Sequence, residues 1–205
     1  MRQVINNTSN MRKIFNRILL SAVMALVCSY GYSQTEENQY PKHILSAHGG
    51  WAVVTSKIDL GDKTYSTKNG TDWRLEYDRI YKSGIGFGIS AQFFYTDFDS
   101  SYSRYGEAFY IGPSIVAYRN LGTKWMYSAS FGLGYSCFYD SMETQHGTAL
   151  DGKLGIDYKL TKSFAIGVSA GYNLNFMRKP KNYINTEDFY GIKRFYLMPS
   201  LKLYL

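Results

Sequence analysis

Cysteine and proline are scarce in this chain, and no long apolar run occurs beyond residue 33. The 205 residues hold 2 Cys and 4 Pro. One cysteine, Cys28, sits in an N-terminal apolar stretch. Only Cys137 remains after it, which excludes an internal disulfide in the rest of the chain and any cysteine-rich metal site. The three histidines, His43, His48 and His146, are far apart in sequence and have no companion cluster of metal-ligand type. No Gly-rich loop of the Walker type is present. The missing run of about 18 apolar residues argues against membrane-spanning helices, although not against spanning strands, where only alternate residues face lipid.

What is abundant fits strands. Tyr occurs 20 times, Phe 12 times and Gly 19 times. Aromatic residues favour pleated, half-buried surfaces, and Gly permits close approach of neighbouring strands.

The N-terminus reads as a targeting segment. Met11–Arg17 is a basic n-region, Ile18–Cys28 is an apolar h-region, and Gly31-Tyr32-Ser33 offers small residues for cleavage before Gln34. Residues 1–33 are therefore expected to be a signal peptide, with Met11 the better start and 1–10 a start extension. Cys28 follows Leu26 and Val27, which departs from the lipid-anchor pattern. Residues 1–33 contain Arg2, Arg12, Lys13 and Arg17 and no acid. Removal takes 23 basic residues to 19 against 16 acidic ones, so the net charge falls from +7 to +3. The apparent basicity is partly a property of the targeting segment, and nucleic acid is not an expected partner.

Residues 34–43 form a short polar lead-in, and residues 44–205 repeat one unit: an alternating stretch, then a turn. Trp125–Tyr139 is the clearest. Trp125, Tyr127, Ala129, Phe131, Leu133, Tyr135, Cys137 and Tyr139 alternate with Met126, Ser128, Ser130, Gly132, Gly134, Ser136 and Phe138. Ser163–Phe176, Ile85–Tyr95, Leu150–Leu160 and Phe195–Leu205 alternate likewise, and Ile44–Ile58, Thr71–Tyr81 and Glu107–Arg119 do so more weakly. That predicts eight strands, each long enough to cross a bilayer when tilted.

The connections alternate in length. Lys82–Gly84, Asn120–Thr123 and Thr161–Lys162 are tight, whereas Asp59–Gly70, Asp97–Gly106, Asp140–Gly147 and Arg178–Gly191 are longer. Short turns on one side and long loops on the other are the habit of outer-membrane barrels, with the turns periplasmic. The expected fold is all-β, an eight-stranded antiparallel up-and-down transmembrane β-barrel.

The second face of the strands is rich in Gly, Ser and Ala, as a narrow lumen requires. It also carries Arg74, Glu76, Asp78, Asp151, Lys153, Asp157, Lys159, Arg194 and Lys202, which are expected to pair into a near-neutral lumen network. Aromatic girdles are expected from Trp125, Tyr127 and Tyr81 at the turn end and from Trp73, Tyr95 and Tyr139 at the loop end. Cys137, between Tyr135 and Tyr139, is read as lipid-facing. A soluble periplasmic lipid-binding barrel is the alternative architecture, with the apolar face turned inward.

In this pattern the chain resembles the small outer-membrane β-barrel domain proteins of the OmpA/OmpX-like type, over residues 44–205. The resemblance implies an integral outer-membrane protein surrounded by outer-membrane lipid and inserted by the outer-membrane assembly machinery. That machinery reads the last strand, which here ends in Leu205 rather than the usual aromatic residue, with Tyr204 beside it.

No catalytic residue, cofactor or metal is expected, and the chain is read as non-enzymatic. The enzyme alternative, a lipid-modifying or proteolytic activity, rests on Asp140–His146, a run with a hydroxyl, an imidazole and two carboxylates. Arg178, Lys179 and Lys181 form a candidate loop surface for lipopolysaccharide phosphates or an unidentified protein.

Overall fold

The computed structural model describes residues 40–59, 64–65, 67–101, 103–140, 144–177 and 191–205. Residues 1–33, the expected signal peptide, lie outside them, as does most of the lead-in. Ten strands are present among the described residues: β1 His43–Val54, β2 Ile58–Asp59, β3 Thr64–Tyr65, β4 Lys68–Ile80, β5 Ile85–Asp97, β6 Tyr105–Leu121, β7 Trp125–Asp140, β8 Thr144–Lys159, β9 Phe164–Met177 and β10 Lys193–Tyr204. Eight of them close into a barrel in the order β1-β10-β9-β8-β7-β6-β5-β4, each antiparallel to its neighbours. Closure leaves no open edge to be satisfied in lipid. β2 and β3 form a separate small hairpin in the connection between β1 and β4.

Alternation decides which way each side chain points. Phe131, Leu133, Leu154, Ile115, Val168 and Leu201 face outward and are exposed, Leu154 to 68%. Their neighbours one residue along face inward and are covered by the barrel. A soluble lipid-binding barrel would need the apolar set inside, so this outward belt rules that architecture out. Two of the tight turns require left-handed backbone, supplied by Gly84 at φ 81° and Gly122 at φ 65°.

Several boundaries differ from those read in the sequence. The first strand stops at Val54 rather than Ile58, and Ile58 instead pairs with Tyr65 in the β2–β3 hairpin. The connection expected at Asp140–Gly147 is largely ladder: β8 begins at Thr144, and Gln145, His146 and Gly147 pair with Phe138, Cys137 and Ser136. Polar residues hide a strand from sequence reading when the partner strand, not local apolarity, supplies the pairing. Residues 178–190, which include Arg178, Lys179 and Lys181, lie outside the described residues.

Candidate functional site

The lumen is built in three layers. At the loop end Ala52, Val54, Phe94, Ala108, Phe138, Tyr196 and Met198 from the barrel wall pack with Ile58 and Phe98 from the connections. At the turn end Ile44, Ile80, Val116, Tyr118, Met126, Ala165 and Tyr204 pack together with Tyr40. Between them lies a buried polar layer.

Four cations (Arg74, Lys153, Arg194 and Lys202) and five carboxylates (Asp72, Glu76, Asp78, Asp151 and Asp157) are buried among the described residues. β4 supplies four of these groups at alternate positions, because a strand points every second side chain to one face. Arg74 is the hub. Its Nη1 lies 3.0 Å from Glu76 Oε1, and its Nη2 lies 2.6 Å from Asp151 Oδ1 and 2.7 Å from Gln92 Oε1. Gln92 donates to Asp72 at 2.7 Å, and Arg194 Nε reaches the same Asp72 oxygen at 3.0 Å. Lys153 pairs with Glu76, whose Oε2 also lies 3.0 Å from His48 Nε2. Asn173 and Tyr196 donate to Asp151 at 3.1 and 3.2 Å.

Nearer the turn end, Lys202 Nζ lies 2.8 Å from Asp157 Oδ2, and Tyr118 donates to Asp78 at 2.6 Å. Aromatic faces cover the cations: Arg74 lies 4.9 Å from the Tyr196 ring centre, Arg194 5.1 Å from Phe94 and Lys202 5.2 Å from Tyr118. An unpaired charge away from water costs several kcal/mol, and the ion pairs offset most of that cost; Asp78 has the Tyr118 hydroxyl in place of an ion pair, and Arg194 Nη1 and Nη2 have no hydrogen-bond partner. Glycine makes the room. A Cβ on Gly88 would lie 2.0 Å from Asp78 Oδ1, and one on Gly167 would lie 2.1 Å from Asp157 Oδ1.

Of the nine lumen charges named from the sequence, eight are in this buried layer, and Arg74, Glu76, Asp151 and Lys153 meet directly. Lys159 does not join them. It is half-buried near the turn end and donates to Asn120 Oδ1 at 2.7 Å. Asp72, His48 and Gln92 escaped sequence reading. Asp72 shares the parity of Arg74 and Glu76, so alternation alone could have found it. His48 shares the parity of Ser46 and Ala52, which places it on the inward face.

The Asp140–His146 run is divided between two faces. Gln145 points into the lumen and is buried, whereas His146 points outward, its Nδ1 2.5 Å from Tyr135 Oη. Ser141, Met142 and Glu143 lie outside the described residues. Cys137 is half-buried on the outward face, opposite both His146 and Phe109.

At the loop rim, Tyr95, Tyr105 and Tyr139 form a continuous aromatic run, with ring centres 6.3 and 5.9 Å apart. Tyr95 donates to Asp97 at 2.6 Å. Tyr65 of β3 donates to Asp99.

No family model matches the sequence. A search of curated proteins also finds no match. Solved structures do match by shape. Neisserial surface protein A (NspA) superposes with a TM-score of 0.59 at 12% identity, covering 80% of this chain and 97% of that one. The outer membrane protein OprG from Pseudomonas aeruginosa superposes with a TM-score of 0.51 at 12% identity, covering 83% and 99%. The outer membrane enzyme PagL matches at a TM-score of 0.41 and 14% identity over 80% and 99%, too weak a likeness to argue for or against an activity here. Closed eight-strand topology, an outward apolar belt and these superpositions agree: the chain has the fold of the small eight-stranded outer-membrane β-barrels, and it is an integral protein of the bacterial outer membrane.

Proposed function

We propose that this chain is a non-enzymatic outer-membrane protein whose barrel is a rigid anchor and whose loop end makes the surface contacts. The observation that carries this reading is the filled lumen, a largely ion-paired charge layer closed by an apolar layer at each end. Such a lumen favours anchoring over passage, and it leaves the loop end as the face that meets the outside. Arg178, Lys179 and Lys181 would supply charge-assisted contacts to lipopolysaccharide phosphates there. The alternative, hydrolysis or acyl transfer by Asp140–His146, has less support, because His146, the imidazole of that run, points outward and meets the Tyr135 hydroxyl.

Two measurements test the reading. In planar bilayers the full chain should give no stepwise conductance; stable open-channel steps would refute the anchor role. In vesicles containing lipopolysaccharide, replacing Arg178, Lys179 and Lys181 with Gln should weaken association with the lipopolysaccharide by about ten-fold or more at low salt. An unchanged affinity would remove the loop from the proposal.

A further inference from the structure

The two rims of the barrel differ in charge. At the turn end Lys42, Arg79, Lys82, Arg119, Lys124 and Lys162 are all exposed. Lys159 adds a seventh cation, half-buried. The carboxylates nearest this end, Asp78 and Asp157, are buried in the lumen with partners of their own. Among the described residues no exposed Asp or Glu accompanies the turn-end cations, and none of them is ion-paired. Glu36 and Glu37 precede the described residues. The loop rim is mixed: Lys57, Lys68 and Arg104 share it with Asp97, Asp99 and Glu107.

The depth of these cations is set by their neighbours. The Arg79 guanidinium lies 6.0 Å from the ring centre of Tyr81. Lys124 Nζ lies 5.8 Å from that of Tyr158, which meets Trp125 edge-on at 4.9 Å. Arg119 is directly opposite Tyr127 in the β6–β7 ladder. Tyr81, Trp125 and Tyr127 are exposed on the outward wall. Outward Tyr and Trp at strand ends lie at the headgroup level of a bilayer. Cations held beside them are therefore at the depth of the lipid phosphates and directed at the leaflet, not at the water beyond it.

We infer that the turn-end rim is an electrostatic collar that selects anionic phospholipid headgroups in the leaflet it faces. A zwitterionic headgroup carries its own cation beside its phosphate. An anionic one leaves the phosphate charge for the collar, so each contact favours it. The collar tethers the barrel at that leaflet and sets the composition of its lipid shell.

The test uses the full chain purified from membranes and placed in vesicles of equal phosphatidylglycerol and phosphatidylcholine. Spin-labelled versions of each lipid report the share held at the protein. Wild type should favour phosphatidylglycerol about five-fold per contact at low salt. The preference should collapse at about 1 M salt, where screening shortens to about 3 Å. Arg79→Gln, Arg119→Gln and Lys124→Gln combined should remove it, whereas Lys57→Gln, Lys68→Gln and Arg104→Gln at the other rim should leave it. A boiled-versus-unboiled gel establishes that each variant is folded, and the salt series needs no variant at all. Equal association of both lipids with wild type would overturn the inference, even if the chain cosedimented with peptidoglycan instead. So would a preference that survives both salt and the turn-end substitutions. Loss of the preference on adding inorganic phosphate at constant ionic strength would mark a small-anion site and overturn it too.

Discussion

The Lys202–Asp157 pair offers the cleanest probe of the lumen. Both side chains are about 1% exposed, Lys202 Nζ lies 2.8 Å from Asp157 Oδ2, and Asp157 Oδ1 has no hydrogen-bond partner. Lys202→Met keeps the stem and removes the charge, which leaves a buried carboxylate unpaired beneath Gly167. Breaking a buried pair from one side costs about 3–5 kcal/mol. Adding Asp157→Asn removes the stranded charge. The double variant should therefore recover about 0.5–3 kcal/mol relative to the sum of the single losses, the range measured for directly coupled residues. Urea unfolding in lipid vesicles, followed by tryptophan fluorescence and by the folded band on unboiled gels, supplies the four stabilities of the cycle. If Lys202→Met costs less than about 1 kcal/mol and the cycle shows no coupling, the charges are solvated and the picture of a packed, dry layer is wrong.

Face assignment is tested by comparing substitutions of opposite orientation. Phe131→Arg or Val168→Arg on the lipid-facing wall should cost roughly 2–4 kcal/mol near the midplane, measured by the same unfolding assay. Ser130→Asn, next to Phe131 but inward, should cost less, and equal losses would contradict the assignment. Gly88→Val places a side chain against the Asp78 carboxylate and should destabilise the barrel by roughly 1–3 kcal/mol through overpacking. A wild-type-like midpoint there would mean that the lumen has spare volume. His146→Ala should leave folding and the surface contacts of the loop end intact; loss of a hydrolytic activity toward lipid or peptide would favour the enzyme alternative.

How much of this was legible depends on which force fixed each feature. The faces of β5, β7 and β9 follow from period two alone, because strand geometry leaves no other freedom. Turn positions were legible at Gly84 and Gly122, where the backbone itself demands glycine. The apolar layers were not. Phe94, Phe138, Met126, Tyr196 and Met198 lie on the face dominated by Gly and Ser, and a rule of small residues inside passes over them. They fit because the glycines beside them are small, and that complementarity exists only once the strands are in register: a Cβ on Gly171 would lie 2.3 Å from the Tyr196 hydroxyl. The charge network was visible as a set of residues but not as a set of pairs. Arg74 on β4 meets Asp151 on β8 across the lumen, a distance in sequence that no local pattern records. The start of β8 at Thr144 depended on β7 extending to Asp140, which is again a property of the partner strand.

The most direct test of the membrane barrel is fractionation of cells expressing the full chain, with boiled and unboiled samples of the outer-membrane fraction run side by side. A chain recovered in that fraction, with a heat-dependent shift in mobility, is the predicted result. A water-soluble periplasmic protein with no shift would contradict it.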